Sequence, residues 1–493
     1  MAHTVEALRG KLNRIFLELF EIGLEDEPSP PFHQLENVAD MTEPPTKIRV
    51  LSMNVWGIPV TPYCTERATA MGAILKEKAE DWDIIALQEV WHRREKRIIV
   101  NAALRAGFAY SHYFHPAVGF PLPIGHDSFG TGLLVLSKFR LSAAMYHPFL
   151  LTGRPYALHE ADFIANKGVG ILRVHGPDGT EIADLYVTHL LANYNHLGSP
   201  GPGDQYLAHR AAQAYELATF INSTSRNSLV MVCGDFNSPA NSLVLKIVRD
   251  LVALHDAYAD NHMNKGCEGL TFGTEDNKFS HGEFPMRMDY ILFRSKKWRL
   301  VASDVYKEYF TTAKGYELPL SDHFGVYAEF HLSENENNQV GREIASADVS
   351  EAVGLRNRKK KIVDESPMQV TTSTSALACL NDILLELQAG KNQTVESRIV
   401  HLQRSFICFL VVIAGVIGMT MYGDLLSNTS WYFGYGMITL VVVFGIFEYI
   451  ISFFFLTLEV SSFTEFLNQV LLHRHNLAEA LKAQQPPPGL ECN

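Results

Sequence analysis

Acids, amides and histidines recur along this chain of 493 residues, each expected to stand at the end of an apolar β-like run. Asn54 ends Ile48-Arg-Val-Leu-Ser-Met-Asn54, Glu89 ends Ile84-Ile-Ala-Leu-Gln-Glu89, and His189 ends Leu185-Tyr-Val-Thr-His189. Asp235 and Asn237 close Val230-Met-Val-Cys-Gly-Asp-Phe-Asn237, Asp289 lies in Met288-Asp-Tyr-Ile-Leu292, and Asp322-His323 follows further on. A buried strand that ends in a carboxylate, amide or imidazole puts that group on the rim of a rigid sheet, where several strands can aim at one point. Oxygen donors and imidazoles gathered this way are the parts of a hard-metal phosphoesterase site.

Cleaving a phosphodiester needs a Lewis acid on the phosphate oxygens, an activated water opposite the leaving oxygen, and relief of the charge that builds on the leaving group. Magnesium prefers oxygen ligands and keeps most of its waters, so Glu89 with Asn54 suits it, with manganese as a substitute. The base is expected to be His323, held by Asp289, because a carboxylate fixes the imidazole tautomer and favours the imidazolium formed when water loses its proton. Asp235 and Asn237, two apart on one turn, can fix the water between them. His189 is left to donate to a phosphate oxygen or to the leaving oxygen. Singly, Gly-Asp-Phe-Asn is a common turn and Asp-His a common cap; the joint order carries the reading.

Placing these groups calls for an α/β domain. From Lys47 to about Leu332, short Val, Ile, Leu and Phe runs alternate with Gly, Pro and Asn turns and with helical stretches such as Ala208 to Ile221. Several runs are apolar throughout, as a sheet covered on both faces requires. The expectation is a four-layer α/β sandwich over residues 46–332, two packed sheets flanked by helices. Residues 1–45 precede it as an amphipathic helix (Val5, Leu8, Leu12, Phe16, Leu19) and a Pro-rich lead-in; the helix either packs on its own domain or lies on a membrane.

The net charge of −12 argues against nucleic acid, which is bound through many Lys and Arg contacts. The six cysteines are far apart and form no zinc or disulfide pattern, so a reduced, cytosol-facing domain is expected. Glu6, Arg9, Lys11 and Arg14 leave no apolar core for a cleavable signal.

Residues 333–400 are expected to be a polar linker with a short helix. Its cluster of Arg356, Arg358, Lys359, Lys360 and Lys361 is either solvated or a contact for anionic lipid. Within 401–460, Phe406 to Tyr422 and Trp431 to Val460 are apolar stretches, the second broken by Glu448. At about 1.5 Å per residue the first just spans a hydrocarbon core of about 30 Å and the second exceeds it. A two-helix transmembrane hairpin follows, with buried core helices of a soluble domain as the alternative. Arg398, Arg404 and Arg474 flank the pair while Gly423 to Ser430 has no Lys or Arg, so both ends, including the tail 461–493, should face the cytosol. Truncation after about Ser333 is expected to leave a soluble domain.

The order Leu-Ser-Met-Asn54, Gln-Glu89, Thr-His189, Gly-Asp235-Phe-Asn237, Met-Asp289-Tyr and Ser-Asp322-His323 resembles the endonuclease/exonuclease/phosphatase superfamily, whose fold is that of DNase I. Within it, Gln-Glu-Val-Trp91, Lys167-Gly168, Tyr206-Leu-Ala-His-Arg210 and Pro319-Leu-Ser-Asp-His323 are similar to the membrane-anchored, magnesium-dependent neutral sphingomyelinases. The resemblance implies hydrolysis of sphingomyelin to ceramide and phosphocholine. It further implies Glu89 on the metal, His323 as base, Asp235 and Asn237 orienting water and phosphate, and His189 as second catalytic histidine. Asp322 matches an acid near the metal whose role could be exchanged in part with that of Asp289. Lys167 matches a lysine of this branch and Asp162 stands five residues before it, a candidate switch if the two pair.

Leu191-Ala-Asn193-Tyr departs from the usual His-Ala-Glu-Tyr, and His196 to Gly203 adds a loop, which bears on headgroup preference. Phe114, Phe120, Phe129 and Tyr156 are choline candidates by position, with core packing as the other fate. The enzyme alternatives are a lysophospholipase C acting on lysophosphatidylcholine or its ether analogues, and a phosphoinositide phosphatase, for which more Lys and Arg are expected. A membrane-bound interaction protein with a dead site is the non-enzymatic one. The expected location is a membrane of the endoplasmic reticulum, another endomembrane or the plasma membrane.

Overall fold

The computed structural model describes residues 44–58, 60–115, 130–157, 160, 162–163, 165–194, 204–333, 367–423 and 427–484. The strands in chain order are β1 (Lys47–Asn54), β2 (Ile84–Gln88), β3 (Tyr110–Tyr113), β4 (Leu134–Ser137), β5 (Arg140–Pro148), β6 (Gly168–His175) and β7 (Glu181–His189). They continue with β8 (Leu229–Asp235), β9 (His255–Asp256), β10 (Asp289–Ser295), β11 (Trp298–Tyr306), β12 (Tyr309–Thr311), β13 (Glu317–Pro319) and β14 (Gly325–Leu332). Two six-stranded sheets result, ordered β11-β14-β1-β2-β4-β3 and β5-β6-β7-β8-β10-β9, with β12-β13 as a separate ribbon. The pairs β1/β2 and β7/β8 are parallel, and the other pairs in these sheets are antiparallel.

Alternation decides which face each side chain takes. Ile48, Val50, Ile84 and Ala86 of the first sheet meet Leu185, Val187, Met231 and Ile291 of the second in one core. Leu51, Met53, Ile85 and Leu87 point the other way, where helices α1 (Cys64–Glu77) and α2 (Arg93–Arg105) cover them with Met71, Leu75 and Ile99. Behind the second sheet, α3 (Leu207–Thr224) lays Phe220 on Tyr186 of β7 and stacks it on His147 of β5. The order is helix, sheet, sheet, helix, a four-layer α/β sandwich in which β2 and β8 are buried along their whole length.

The chain separates into two compact units. The first comprises Met1–Phe149, Ile164–Gln205 and Gln213–Ala376, and the second Leu150–Phe163, Tyr206–Ala212 and Leu377–Asn493. The expected short helix before the membrane segment is no separate element: a single helix runs from Pro367 to Tyr422, most of it in the second unit. Polar composition hid it, but Leu380, Ile383 and Leu387 recur at helical spacing and are fully buried. Asn428–Ile450 follows, then a π-helical turn at Ile451–Phe455 and a helix over Leu456–Gln484. Among the described residues, two helices are long and apolar enough to cross a membrane.

Their apolar faces, among them Phe406, Phe409, Phe444 and Phe447, are exposed, the inverse of a soluble core. The polar exceptions turn inward. Glu448 is buried with Oε2 2.6 Å from His401 Nδ1 on the other helix, and Ser405 Oγ donates to the Gly445 carbonyl at 2.9 Å. Further along, buried Glu459 accepts from Thr394 Oγ1 at 2.8 Å and lies 3.4 Å from His209 Nε2. Residues 1–43, residues 195–203, Phe120, Phe129 and the basic cluster within 356–361 lie outside the described residues.

Candidate functional site

Register brings the predicted groups to one rim. Across β7, β8 and β10, His189 pairs with Asp235 and Asp235 with Asp289, three neighbouring strands about 4.8 Å apart. Asn54 ends β1 opposite Gln88, and Glu89 is the next residue beyond β2. One expectation needs correction. Asp289 opens its strand and Asp322-His323 precedes β14, so these groups stand at strand beginnings. They share the rim because β10 and β14 run antiparallel to β8 and β1, which the local sequence does not encode.

The side chains interlock. Asn54 Nδ2 donates to Glu89 Oε1 at 2.9 Å and to Asp235 Oδ2 at 3.0 Å, while its Oδ1 accepts from the Trp56 amide at 2.9 Å. Asn54 therefore fixes two carboxylates with its N–H group. His323 Nδ1 lies 2.9 Å from Asp289 Oδ2, which leaves Nε2 3.9 Å from Asp235 Oδ2. Asp289 is thus the acid against the histidine; Asp322 Oδ1 accepts from Ser321 Oγ at 3.1 Å. Asn237 donates its amide N–H to Asp235 Oδ1 at 2.8 Å and its Nδ2 to the Leu190 carbonyl at 3.0 Å. Lys167 Nζ lies 2.7 Å from His189 Nε2, which also stands 3.5 Å from Asp235 Oδ2 and 3.9 Å from Glu89 Oε1.

Backbone strain concentrates here. Trp56 (φ 50°), Glu89 (φ 60°), Asn166 (φ 48°) and Asn237 (φ 46°) are non-glycine residues in the left-handed region. Such conformations persist only where surroundings over-determine them, and they gather at functional sites. Glu89 is held by its carbonyl, which accepts from the Gly57 amide at 3.0 Å. A Cβ at Gly57 would overlap that carbonyl, so only glycine permits the approach.

Burial and charge set the proton affinities. Burial, with the neighbouring Asp289 carboxylate, pushes Asp235 up to about 6. Asp322 rises to about 7, through burial opposed by His323. For His323, burial favours the neutral ring but the carboxylates of Asp289, Asp235 and Asp322 outweigh it, so its affinity for a proton stands well above the ordinary imidazole value. Burial, then Lys167 and His323, drives His189 far the other way. This favours the neutral ring, whose Nε2 lies beside Lys167 Nζ and whose buried Nδ1 has no hydrogen-bond partner among the described residues.

The donor set fits a hard divalent cation. Asp235, Asp289 and His323 offer ligand atoms within 4.8 Å of one another, and Asp289 Oδ1 is buried without a hydrogen-bond donor among the described residues. Glu89 adds a further carboxylate on the same rim, and concentrated buried negative charge of this kind is what a cation compensates.

Some supporting residues carried no sequence signal. Thr271 Oγ1 accepts from the amides of Met288 and Asp289 at 3.0 and 3.3 Å, and Ser280 Oγ donates to the Asp322 carbonyl at 2.8 Å. Two choline candidates have packing partners of their own. Phe114 is buried in the inter-sheet core, and Tyr156 packs its ring 5.5 Å from His401 in the second unit. Asp162 is buried and also belongs to the second unit.

Residues 51–323 match the Endonuclease/Exonuclease/phosphatase family. The chain belongs to that family. Among its relatives, sphingomyelin phosphodiesterase 2 of Homo sapiens is 31% identical over 294 residues, covering 57% of this chain and 64% of the human protein. The Mus musculus protein of the same name is 30% identical over 296 residues, covering 58% of this chain and 65% of its own length. The chain thus spans just under two thirds of these curated relatives. A solved structure of beta toxin from Staphylococcus aureus aligns at a TM-score of 0.45 with 17% identity, over 57% of this chain and 99% of the toxin.

Proposed function

We propose that this chain is a membrane-anchored phosphodiesterase that hydrolyses sphingomyelin to ceramide and phosphocholine with the help of magnesium. The observation that carries the reading is the buried Asp289–His323 pair facing Asp235 beside Glu89, on a chain that also has two long, exposed, apolar helices. The similarity to sphingomyelin phosphodiesterase 2 supports the lipid substrate. The net charge of −12 weighs against a polyanionic one.

Glu89, oriented by Asn54, and the Asp235 side of the cleft would hold the cation, which supplies charge compensation on the phosphate oxygens. His323 Nε2 takes a proton from water while Asp289 holds Nδ1–H. Asp235 and Asn237 orient that water. The water oxygen bonds to phosphorus, the bond to the ceramide oxygen breaks, and that oxygen takes up a proton on the side of Lys167 and His189. With His189 Nε2 engaged by Lys167, the pair acts as one donor unit. Pairing of Lys167 with Asp162 would draw the amine away and switch this unit off, and Asp322 tunes the charge around His323.

In this proposal residues 46–332 are the catalytic domain, 401–460 enter the membrane, and the catalytic domain and the tail 461–493 share the cytosolic side of an endomembrane or the plasma membrane. The test is headgroup release from a panel of choline lipids, with and without magnesium. Magnesium-dependent phosphocholine release from sphingomyelin is expected. Release confined to lysophosphatidylcholine would replace the substrate, and no release from any lipid by folded protein would sink the enzymatic reading.

A further inference from the structure

Arg67 lies on α1, outside every motif singled out in the sequence, yet only 3% of it is exposed. Among the described residues its guanidinium hydrogen-bonds no carboxylate, although the charges of Asp322 and Glu89 act on it; its hydrogen bonds go to the backbone of separate rim loops and to Thr61. Nη1 donates to the Val55 carbonyl at 2.6 Å and the Leu320 carbonyl at 3.2 Å. Nη2 donates to the Trp56 carbonyl at 2.7 Å and Thr61 Oγ1 at 2.7 Å, and Nε to the Pro62 carbonyl at 3.0 Å. The planar fork also stacks 4.9 Å from the Trp56 ring.

These acceptors are the two arms of the site. Val55 and Trp56 directly follow Asn54, and their loop holds Glu89 through Gly57 N–H to the Glu89 carbonyl at 3.0 Å. Trp56 sits in the left-handed region, where a bond to its carbonyl offsets local strain. Leu320 stands two residues before Asp322 and three before His323. A planar, multi-donor group can hold three chain segments at fixed separations, which a lysine cannot.

We propose that Arg67 is a positioning residue that sets the distance between the carboxylate arm at Glu89 and the histidine arm at His323, and so sets divalent-cation affinity. This rests on the cation-assisted reading above. Groups that hydrogen-bond a metal ligand typically alter metal affinity by about 10- to 100-fold, and Arg67 acts one contact further out, on the loops that carry the ligands.

The test compares full-length, detergent-solubilised wild type and Arg67→Lys by direct manganese binding, using electron paramagnetic resonance of the free ion, alongside thermal unfolding. A folded Arg67→Lys with affinity weakened at least about tenfold is expected. A folded variant with wild-type manganese affinity overturns the inference, because a purely structural arginine would lower the melting temperature alone. Should Arg67→Lys not fold, Thr61→Val takes its place, since Thr61 is half-buried and is the side-chain partner of the fork. A weaker affinity in Thr61→Val is expected, and an unchanged one overturns the inference. If wild type itself binds no manganese, the cation-assisted reading fails, which is a separate result.

Discussion

His323, the base of the proposed reaction, has one ring nitrogen tied to a buried carboxylate and the other 3.9 Å from Asp235 Oδ2. His323→Ala should lower turnover on sphingomyelin by at least about a hundredfold with the fold intact, as loss of a general base does. A wild-type rate in that variant would show that the base is elsewhere. Protons and cations should also compete for this rim. Asp235 (about 6) and Asp322 (about 7) are raised from 3.8, and His323 is raised above 6.5. The folded state thus holds protons that the unfolded chain releases. Stability of the cation-free protein is then fullest below about pH 4 for the two acids and below about pH 6.5 for the histidine, and is lost as pH rises through the folded values. Magnesium should therefore raise the melting temperature more at pH 7.5 than at pH 5.5. Equal increments at both pH values would contradict this account.

At the scale of elements, the rim works because strained loops hold their residues in place. Gly57→Ala forces a Cβ onto the Glu89 carbonyl and should displace that loop. A shift of about 1 Å costs up to about a hundredfold in rate, and the sheets, whose cores lie elsewhere, should keep their circular dichroism. Unchanged turnover would mean that the loop does not set Glu89. The strand pattern and the order of the polar rim residues were legible in the sequence because period and polarity are local properties. Strand direction was not: Asp289 and His323 stand at strand beginnings, and only antiparallel pairing over long sequence separations carries them to the rim. The helix from Pro367 was hidden by polar composition outside its buried stripe.

At the scale of the whole molecule, the helical unit includes more than the two apolar spans. Leu150–Phe163 and Tyr206–Ala212 cluster with it, and buried His209 has Glu459 and Phe463 as neighbours. Truncation after Ser333 removes those neighbours, so the expected soluble domain should melt below the full chain. It should still cleave micellar substrate while losing about tenfold or more on vesicles, because tethering raises the local concentration of a lipid. Equal rates of the truncated and full chains on vesicles would remove the anchoring role of the helices.

The sequence by itself determined which residue types stand at strand termini, in what order, and that two segments are long and apolar enough to cross a membrane, since these depend only on local period, length and polarity. Tertiary structure alone decided that Asp289 rather than Asp322 takes the expected place against His323, that Lys167 occupies His189, that Asn54 turns its amide N–H to two carboxylates, and that Arg67 ties both arms together. Each of these is a pairing between side chains and loops far apart in the chain, chosen by strand register and by the need to satisfy buried polar groups, which no local pattern records.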